Sequence, residues 1–306
     1  MARLFCLGEI LVEMVATQVG QPDNETGIWA GPYPSGAPAI LADQASLCGL
    51  DVTLRGNVGD DGFGQCCLEK LKHDGVNMEA ITVDPVRPTG VAFVRYKTDG
   101  SRSFIFHIAQ AASGKFTGAD TEELKGQDCV HIMGSSAFDD AAVEALTKTT
   151  MVARDLEIPV SFDPNVRIEI LQKEQHKLAL AEILRESTYV LASVWEMQLL
   201  MGKESDEECA QTLLQGNAKI VVLKKGSKGC ILYRRHKTPV IIPSINVNEV
   251  DPTGAGDCFG GTFLALILTG TDPEEAARIA NVAGALAVTE RGPMSANRPL
   301  AQLKTL

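Results

Sequence analysis

Residues 248–270, NEVDPTGAGDCFGGTFLALILTG, constrain the fold of this chain more than any other stretch. They predict a strand end at Val247–Val250, then a turn rich in proline and glycine, then an apolar helix that Gly270 terminates. Asp257 stands where that helix begins. Backbone N–H groups at a helix start lack partners within the helix, and the helix dipole adds positive potential, so anions bind there. We interpret the turn as a phosphate-binding site beside a carboxylate.

Short apolar strands alternate with helices along most of the chain, and turn residues separate them. Strands are predicted at 4–7, 52–58, 129–133, 160–162, 189–191, 220–223 and 230–233, and helices at 37–47, 63–73, 140–155, 169–185, 194–215, 273–290 and 298–303. This alternation predicts an α/β fold with a doubly wound, mostly parallel sheet and helices on both faces. Ligands should bind at the carboxyl ends of the strands.

Two segments interrupt the α/β alternation. Residues 18–36 are rich in glycine, proline and polar residues, and residues 90–108 alternate in polarity around the turn signal Asp99-Gly100. We place both in a small antiparallel β-sheet that covers the strand ends as a lid. The chain is thus predicted to be a single domain over 1–306, with a lid formed by about 12–34 and 89–109 inserted in it.

The composition limits what the chain can bind. With 306 residues, 45% of them hydrophobic and 22% charged, it can bury one large core. Its formal net charge of −11 argues against nucleic acid or an anionic membrane as a partner, because both are bound by clustered lysines and arginines. We expect a small-molecule substrate and neither of those partners.

The eight cysteines favour a reducing compartment. They stand singly apart from Cys66-Cys67, and no C-x-x-C spacing occurs. Glu9 and Glu13 interrupt the apolar region that a signal peptide would need, and no apolar run approaches the length that spans a membrane. These features predict a cytoplasmic protein with free thiols.

Three motifs at predicted strand ends together indicate a family. They are DPTGAGD at 251–257, the segment at 35–64 that ends in VGDDGFG, and VVLKKGSKGC at 221–230. With them, nearly the whole chain resembles the PfkB, or ribokinase-like, carbohydrate kinases. The resemblance implies the α/β fold with a small lid, a carbohydrate kinase activity, and ATP and Mg²⁺ as cofactors.

The resemblance implies a role for each residue of the DPTGAGD turn. Asp257 corresponds to the general base that takes the proton of the attacking sugar hydroxyl. Gly254, Ala255 and Gly256 correspond to the anion hole, whose N–H groups stabilise the transferring phosphoryl group. Such a base needs no raised pKa, since the hydroxyl loses its proton only as the bond to phosphorus forms.

The resemblance also implies nucleotide and metal contacts. Glu196 corresponds to a residue that organises Mg²⁺ through water, and Ser193 stands where the family usually has asparagine. The implied nucleotide-binding residues are Lys224, Gly226, Gly229, Asn281 and Ser193. A solvated surface lysine is the alternative for Lys224.

The resemblance also implies residues that bind the sugar that accepts the phosphate, chiefly in the N-terminal half and the lid. The implied substrate-binding residues are Glu13, Ser35, Gly36, Phe106, His107, Arg167 and Asp257. Arg167, in FDPNVR, resembles the arginine that 2-keto-3-deoxygluconate kinases use toward a carboxylate. Phe106-His107 stands where those kinases have a Tyr-Arg pair, so ordinary lid packing is the alternative for Phe106 and a surface location for His107.

The resemblance indicates two classes of sugar that could accept the phosphate. The GE-x-L, SFDPNVR, VLKKG and TERG segments resemble fructokinases and ketodeoxygluconate kinases. We expect phosphorylation of a primary hydroxyl of a ketose such as fructose or tagatose, with 2-keto-3-deoxygluconate as the alternative.

A catalytically silent nucleotide or sugar sensor on the same fold is the alternative of a different class. A dinucleotide-dependent oxidoreductase is disfavoured, because GEILVE after the first strand lacks G-x-G-x-x-G.

Two further expectations concern assembly and ions. The resemblance is compatible with a homodimer through the lid, whose sheet edges can pair with a second copy. It is also compatible with a monovalent cation, K⁺, near Asp251 and residues 289–293.

Overall fold

The structure is a computed structural model that describes residues 1–22, 24–99, 101–169 and 171–305. Its strands are β1 Arg3–Leu7, β2 Leu11–Ala16, β3 Trp29–Ser35, β4 Asp51–Gly59, β5 Ile81–Asp84, β6 Gly90–Tyr96, β7 Arg102–His107, β8 Cys129–Met133, β9 Val160–Asp163, β10 Tyr189–Ser193, β11 Ile220–Lys224, β12 Cys230–Arg234 and β13 Val240–Ile242. Its α-helices are α1 Ala37–Leu47, α2 Gly62–His73, α3 Thr121–Leu124, α4 Asp140–Asp155, α5 Glu174–Glu186, α6 Glu196–Met201, α7 Asp206–Gln215, α8 Ala255–Leu268, α9 Pro273–Ala287 and α10 Leu300–Leu303.

A large, mostly parallel sheet forms the centre of the fold, as the sequence predicts. Within the described residues it has nine strands in the order β13-β12-β11-β10-β9-β8-β1-β4-β5. The pairings from β11 through β1 to β5 are parallel, and β12 and β13 add an antiparallel edge. The chain winds outward from β1 in both directions, so the strand order reverses beside β1. Ligands of open α/β sheets bind at the carboxyl ends of the strands near such a reversal.

Helices cover both faces of this sheet. Leu4 and Cys6 of β1 belong to one buried cluster, which includes residues of α1, α8 and α9. Phe5 and Leu7 alternate with them and belong to the other, which includes residues of α4, α5 and α7. Burial on both faces explains why the strands are apolar throughout rather than alternating.

The small sheet has the strand order β3-β2-β6-β7 and forms the lid. The sequence predicts it as antiparallel, and β2–β3 and β6–β7 pair in that way. The central β2–β6 pairing is parallel instead. The reason is topological: β2 and β6 each leave the large sheet directly after one of its strand ends and so enter the lid in the same direction. Gly100 of the predicted Asp99-Gly100 turn lies outside the described residues.

Two predicted elements are wrong in position. No strand occurs at Val247–Val250, because the N–H groups of Val250 and Asp251 donate to the carbonyl of Val288 at the end of α9, at 2.7 and 3.1 Å. The helix predicted at 169–185, which includes the undescribed residue 170, begins only at Glu174. The short edge strands β5 and β13 were not predicted, since so few residues give little periodic signal.

Helix α8 is held deep in the core. Its residues from Asp257 to Leu266 are buried, and it packs between α1 and α9. Gly261 permits the close contact with α1, because a Cβ there would lie 2.5 Å from the carbonyl oxygen of Leu41. The N-terminus of α8 is thereby fixed at the strand ends. Of the helices that the structure describes, none has both the length and the apolar character needed to cross a membrane.

Candidate active site

The DPTGAGD turn places the start of α8 at the carboxyl ends of the strands of the large sheet. Gly254 precedes the helix with φ of 83°, a left-handed conformation that suits glycine, and a Cβ there would lie 2.7 Å from the carbonyl oxygen of Pro293. No side chain among the described residues caps this helix start. The N–H groups of its first turn, which include those of Ala255 and Gly256, therefore remain available to an anion. This geometry suits the predicted anion hole.

Asp257 lies in the first turn of α8 and is only 4% exposed. Its Oδ1 accepts a hydrogen bond from Nδ2 of Asn165 at 2.9 Å. Burial, reinforced by the negative charge of Asp163, raises the pKa of Asp257 to about 8, against the opposing effect of Lys224 and Arg167. The sequence-based argument required no such shift. A carboxylate with this pKa is a stronger proton acceptor than an exposed aspartate.

The side chain of Lys224 is only 10% exposed, so Lys224 is not a solvated surface residue. Its Nζ forms an ion pair with Asp163, whose side chain is fully buried. Nζ also lies against the anion hole, because a Cβ on Gly256 would be 3.2 Å from it. Burial lowers the pKa of Lys224, but Asp163 and Glu196 outweigh that effect and raise it above its ordinary value. Lys224 therefore presents a positive charge where a phosphate would bind.

Glu196 begins α6 and is 5% exposed. One of its carboxylate oxygens accepts from the N–H of Ser193 at 2.7 Å and the other from the N–H of Val166 at 2.8 Å. Burial and the charge of Asp163 raise the pKa of Glu196. Each oxygen keeps a further lone pair, so the residue fits hydrogen bonding to metal-bound water. Ser193 contacts Glu196 through its backbone N–H, so this contact does not depend on the side chain at position 193.

The remaining predicted nucleotide residues flank the end of β11. Gly226 has φ of 58° with open space around it, and Gly229 allows the loop to contact residues 242–244, since a Cβ would be 2.1 Å from the carbonyl oxygen of Ile242. The side-chain amide of Asn281 donates to the carbonyls of Ile242 and Pro243 at 3.1 and 3.2 Å. Asn281 thus ties α9 to the segment after β13, and its contribution to nucleotide binding stays a prediction.

A cavity between the lid and the large sheet brings most of the predicted acceptor residues together. Its lining includes Glu13, Ser35, Gly36, Phe106, Arg167 and Asp257. Gly36 precedes α1 with φ of 105°, and a Cβ there would be 2.2 Å from the carbonyl oxygen of Glu9, so only glycine fits. These residues come from five separate segments of the chain, and their convergence was visible in the sequence only through the resemblance.

Glu13 is the most unusual polar group of this cavity. It is 6% exposed, and its Oε1 accepts from the hydroxyl of Ser35 at 2.8 Å. Its Oε2 is buried and has no hydrogen-bond partner among the residues that the structure describes. Burial raises the pKa of Glu13 to about 7. A buried carboxylate oxygen without a donor is costly, and a sugar hydroxyl would satisfy it.

Two arginines approach the cavity beside the aromatic ring of Phe104. The guanidinium carbons of Arg167 and Arg102 lie 5.2 and 5.6 Å from the ring centroid. Arg102 also donates to the hydroxyl of Thr253 at 3.1 Å, in the DPTGAGD turn. The lid therefore contacts the DPTGAGD turn directly.

His107 does not reach the acceptor cavity, so its predicted role is not supported by the geometry. Phe104 and Phe106 stack on one face of β7, with ring centroids 5.3 Å apart, and both line the cavity. His107 follows Phe106 and points to the opposite, exposed face, where its ring meets that of Phe93. The reason is the two-residue period of a strand, which sends neighbours to opposite faces.

Sequence reasoning missed four polar residues of the site. They are Glu9, Arg102, Asp163 and Asn165. Glu9 follows β1 after Gly8 and accepts from the hydroxyls of Ser135 and Ser136, while Asp163 ends β9. For Glu9, Asp163 and Asn165, a polar residue at the carboxyl end of a buried parallel strand was the available signal. Arg102, at the start of the lid strand β7, carries no such signal.

Comparisons with known proteins agree with this geometry. Residues 1–299 match the family model described as pfkB family carbohydrate kinase. The chain is 30% identical over 310 residues to fructokinase-2 of Solanum lycopersicum, and this match covers 98% of the chain and 94% of the relative.

Solved structures give the same picture. An E. coli protein named "putative Ribokinase II", solved with ATP and Mg²⁺, is 41% identical, has a TM-score of 0.93, and the match covers 100% of this chain and 98% of that one. The fructokinase of Vibrio cholerae, solved with fructose, ADP and calcium, is 26% identical with a TM-score of 0.85 over 100% and 98% of the two chains. A double mutant of that enzyme was solved with fructose, ADP and potassium. The chain belongs to the pfkB family of carbohydrate kinases and is a sugar phosphotransferase.

Proposed function

We propose that this enzyme transfers the γ-phosphate of ATP to a primary hydroxyl of a ketose-type sugar such as fructose or tagatose, with Asp257 as the general base. One observation carries the proposal: Asp257 lines the acceptor cavity and also lies in the first turn of α8, beside the N–H groups of the anion hole. A hydroxyl held in the cavity and a phosphate held at the helix start would thus meet at this carboxylate. The fructokinases among the relatives support a ketose acceptor.

The arrangement accounts for each part of phosphoryl transfer. The sugar hydroxyl gives its proton to Asp257 while its oxygen bonds to the γ-phosphorus, and the bond from that phosphorus to the bridging oxygen breaks to release ADP. The N–H groups at Gly254–Gly256 and the ammonium of Lys224 stabilise the negative charge on the transferring group. Bound Mg²⁺ would neutralise phosphate charge, and Glu196 would orient its water ligands.

We predict that activity rises with pH through the neutral range. Protonated Asp257 cannot accept the hydroxyl proton, and its pKa is raised to about 8. The acid limb of kcat/KM for the sugar should therefore fall by about tenfold per pH unit below that value. A pH series of initial rates with saturating Mg-ATP measures this limb.

Glu13, whose pKa is raised to about 7, is a further buried acid of the cavity, beside Glu9, and needs a control. Glu13→Gln removes that titration and should leave the acid limb of Asp257 in place. A rate that stays flat between about pH 6 and pH 9 in the native enzyme would contradict the assignment.

A sugar-acid kinase is the second candidate function, because two arginines lie close to the acceptor. Arg167 lines the cavity, and Arg102, the first residue of β7, lies over the same Phe104 ring as Arg167. Guanidinium groups bind carboxylates through paired hydrogen bonds. The buried Glu9 and Glu13 in the same cavity favour hydroxyl groups instead. ADP release with a panel of ketoses, aldoses and sugar acids ranks the two candidates. A 2-keto-3-deoxy sugar acid with the highest kcat/KM would replace the ketose proposal.

Arg167→Met separates the candidates further. For a carboxylate-bearing acceptor we expect kcat/KM to fall by about 100-fold or more, because a charge-assisted pair is lost. For a neutral ketose the expected loss is about tenfold or less, since only a hydrogen bond to an uncharged hydroxyl and the packing on Phe104 are removed. Arg185→Met, an exposed arginine on α5, controls for loss of charge. Equal losses with both acceptors would show that Arg167 does not select the acceptor.

Four parts of the sequence-based expectation stay proposals: the location, the domain organisation, a homodimer and activation by K⁺. We place the enzyme in the cytoplasm as a single kinase domain with an inserted lid, and its eight free thiols suit a reducing compartment. A lid-mediated homodimer is testable by light scattering. Activation by K⁺ is testable by exchange for Na⁺. Asp251, the residue expected near that ion, accepts hydrogen bonds from the N–H groups of Thr253 and Gly292, both at 3.0 Å, and from the hydroxyl of Tyr96.

A further inference from the structure

The loop after β9 lies between the two halves of the active site. It begins at Asp163, the last residue of the strand, and continues through Asn165 to Arg167. Arg167 lines the acceptor cavity, whereas Asp163 contacts the lysine that lies against the anion hole. No described residue of this loop before Glu174 is helical, and the N–H groups of Asn165 and Val166 donate to side-chain carboxylates.

Asp163 fixes the position of Lys224, the cation beside the proposed phosphate site. Its side chain has no exposed surface, and one of its oxygens forms the ion pair with Nζ of Lys224. Its other oxygen accepts from the N–H of Asn165 at 3.1 Å. The carboxylate therefore joins the lysine of β11 to the backbone of the loop.

Asn165 fixes the position of Asp257, the proposed base in the sugar cavity. Its side-chain amide donates to Oδ1 of Asp257 at 2.9 Å, which aims the other carboxylate oxygen of the base. Its backbone has φ of 36°, a conformation that asparagine tolerates better than most residues. The next N–H, that of Val166, donates to Glu196 and anchors the loop from a second direction.

We propose that Asp163 and Asn165 are positioning residues, which hold Lys224 and Asp257 in one fixed relative arrangement before the substrates bind. The contacts run from Lys224 to Asp163, from Asp163 to Asn165, and from Asn165 to Asp257. They join the cation that would bind phosphate to the base that would accept the proton of the sugar. Phosphoryl transfer depends on this kind of alignment, because misplacement by about 1 Å costs about 100-fold in rate. The inference rests on the proposed role of Asp257 as the base.

The charges around Asp257 explain why its position needs support. Asp163 and Glu9 repel its carboxylate, and Lys224 and Arg167 attract it. Asn165 is a neutral donor among these charged groups. A donor to the ionised form favours that form, so loss of this hydrogen bond should raise the pH at which the base becomes active.

The first test is Asn165→Gly, which accepts the same backbone conformation and removes only the amide. We expect kcat to fall by about 10- to 100-fold, with KM for ATP and sugar within about threefold of the native values. The acid limb of kcat/KM should move to higher pH, which a merely structural role would not cause. Ile168→Gly is the matched control, since it adds a glycine to the same loop at a side chain that is 67% exposed.

The second test is Asp163→Asn, alone and combined with Asn165→Gly. The amide oxygen can still accept from the loop, but the charge that holds Lys224 is lost. If the two residues act through one chain of contacts, the double variant should lose much less activity than the product of the single losses. Thermal unfolding of each variant, read by circular dichroism, shows whether the fold is retained.

Two results would overturn the proposal. One is an Asn165→Gly enzyme that keeps kcat and the acid limb of the native protein; the other is a folded double variant whose losses multiply. Both are distinguishable from failure of the proposed function itself, which an active Asp257→Asn enzyme would show. If Asp257→Asn is inactive and Asn165→Gly is unaffected, Asp257 remains the base and the positioning role alone is rejected.

Discussion

Asp257→Asn is expected to lower kcat by about 1000-fold or more, because it removes the proton acceptor and leaves the rest of the site in place. Asparagine has the same shape, and its carbonyl oxygen can accept the hydrogen bond that Asn165 donates to Oδ1 at 2.9 Å. Binding of ATP and sugar should change little. Initial rates of ADP release, with and without sugar, measure the effect.

The variant should be at least as stable as the native enzyme. Burial raises the pKa of Asp257 to about 8, which means that the ionised carboxylate is disfavoured where it lies. A neutral isostere removes that cost, so an unchanged or higher unfolding temperature is expected together with the loss of turnover. A variant that retains more than about a tenth of native kcat would exclude Asp257 as the base. Native enzyme without sugar-stimulated ATP turnover would instead support a silent sensor.

Lys224→Met is expected to lower both activity and stability. The lysine lies against the anion hole, and loss of one charged group that stabilises the transferring phosphoryl group should cost about 100- to 1000-fold in kcat. It also leaves Asp163 buried without its cation, which destabilises a protein by about 3–5 kcal/mol. Chemical denaturation measures the second effect independently of the first.

The combination Lys224→Met with Asp163→Asn provides the control. Neutralising both partners removes the unpaired buried charge, so stability should recover while kcat stays low. Lys224→Arg keeps the charge in a larger group and should retain more activity than Lys224→Met. Recovery of activity together with stability in the double variant would show that Lys224 serves only the fold.

The α/β architecture followed from the sequence because its signals are local. The helices at 37–47 and 140–155 and the strand at 129–133 were predicted with the bounds that the structure gives. Each has apolar residues at the period of its own geometry, and turn or capping residues at its ends. The predicted strand at 247–250 failed because the N–H groups of Val250 and Asp251 bind α9, a partner far away in sequence.

The site could be predicted where a motif is specific and not where contacts are long-range. DPTGAGD was sufficient to place Gly254 before a helix and Asp257 in its first turn, as the structure has them, because a glycine turn followed by an apolar run is a local signal. The roles of base and anion hole, which the resemblance implies, stay predictions. Nothing local indicated that Lys224 would be buried against Asp163, 61 residues earlier in the chain. His107 was assigned to the acceptor side from its place in the sequence, whereas the pleat of β7 turns it outward.

The sequence by itself determined the fold class through its periodicity, the position of the glycine turn before α8 through a backbone conformation that glycine adopts easily, and the kinase family through the resemblance of its motifs. The tertiary structure alone decided the chemical state of the site. Burial raises the pKa of Asp257 and leaves Glu13 Oε2 without a hydrogen-bond partner among the described residues, and the fold brings Asn165 and Asp163 between Asp257 and Lys224. The reason is physical: desolvation and charge pairing depend on distances in space, and groups that are far apart in the sequence, such as Glu9 and Asp257, come close only when the sheet is assembled.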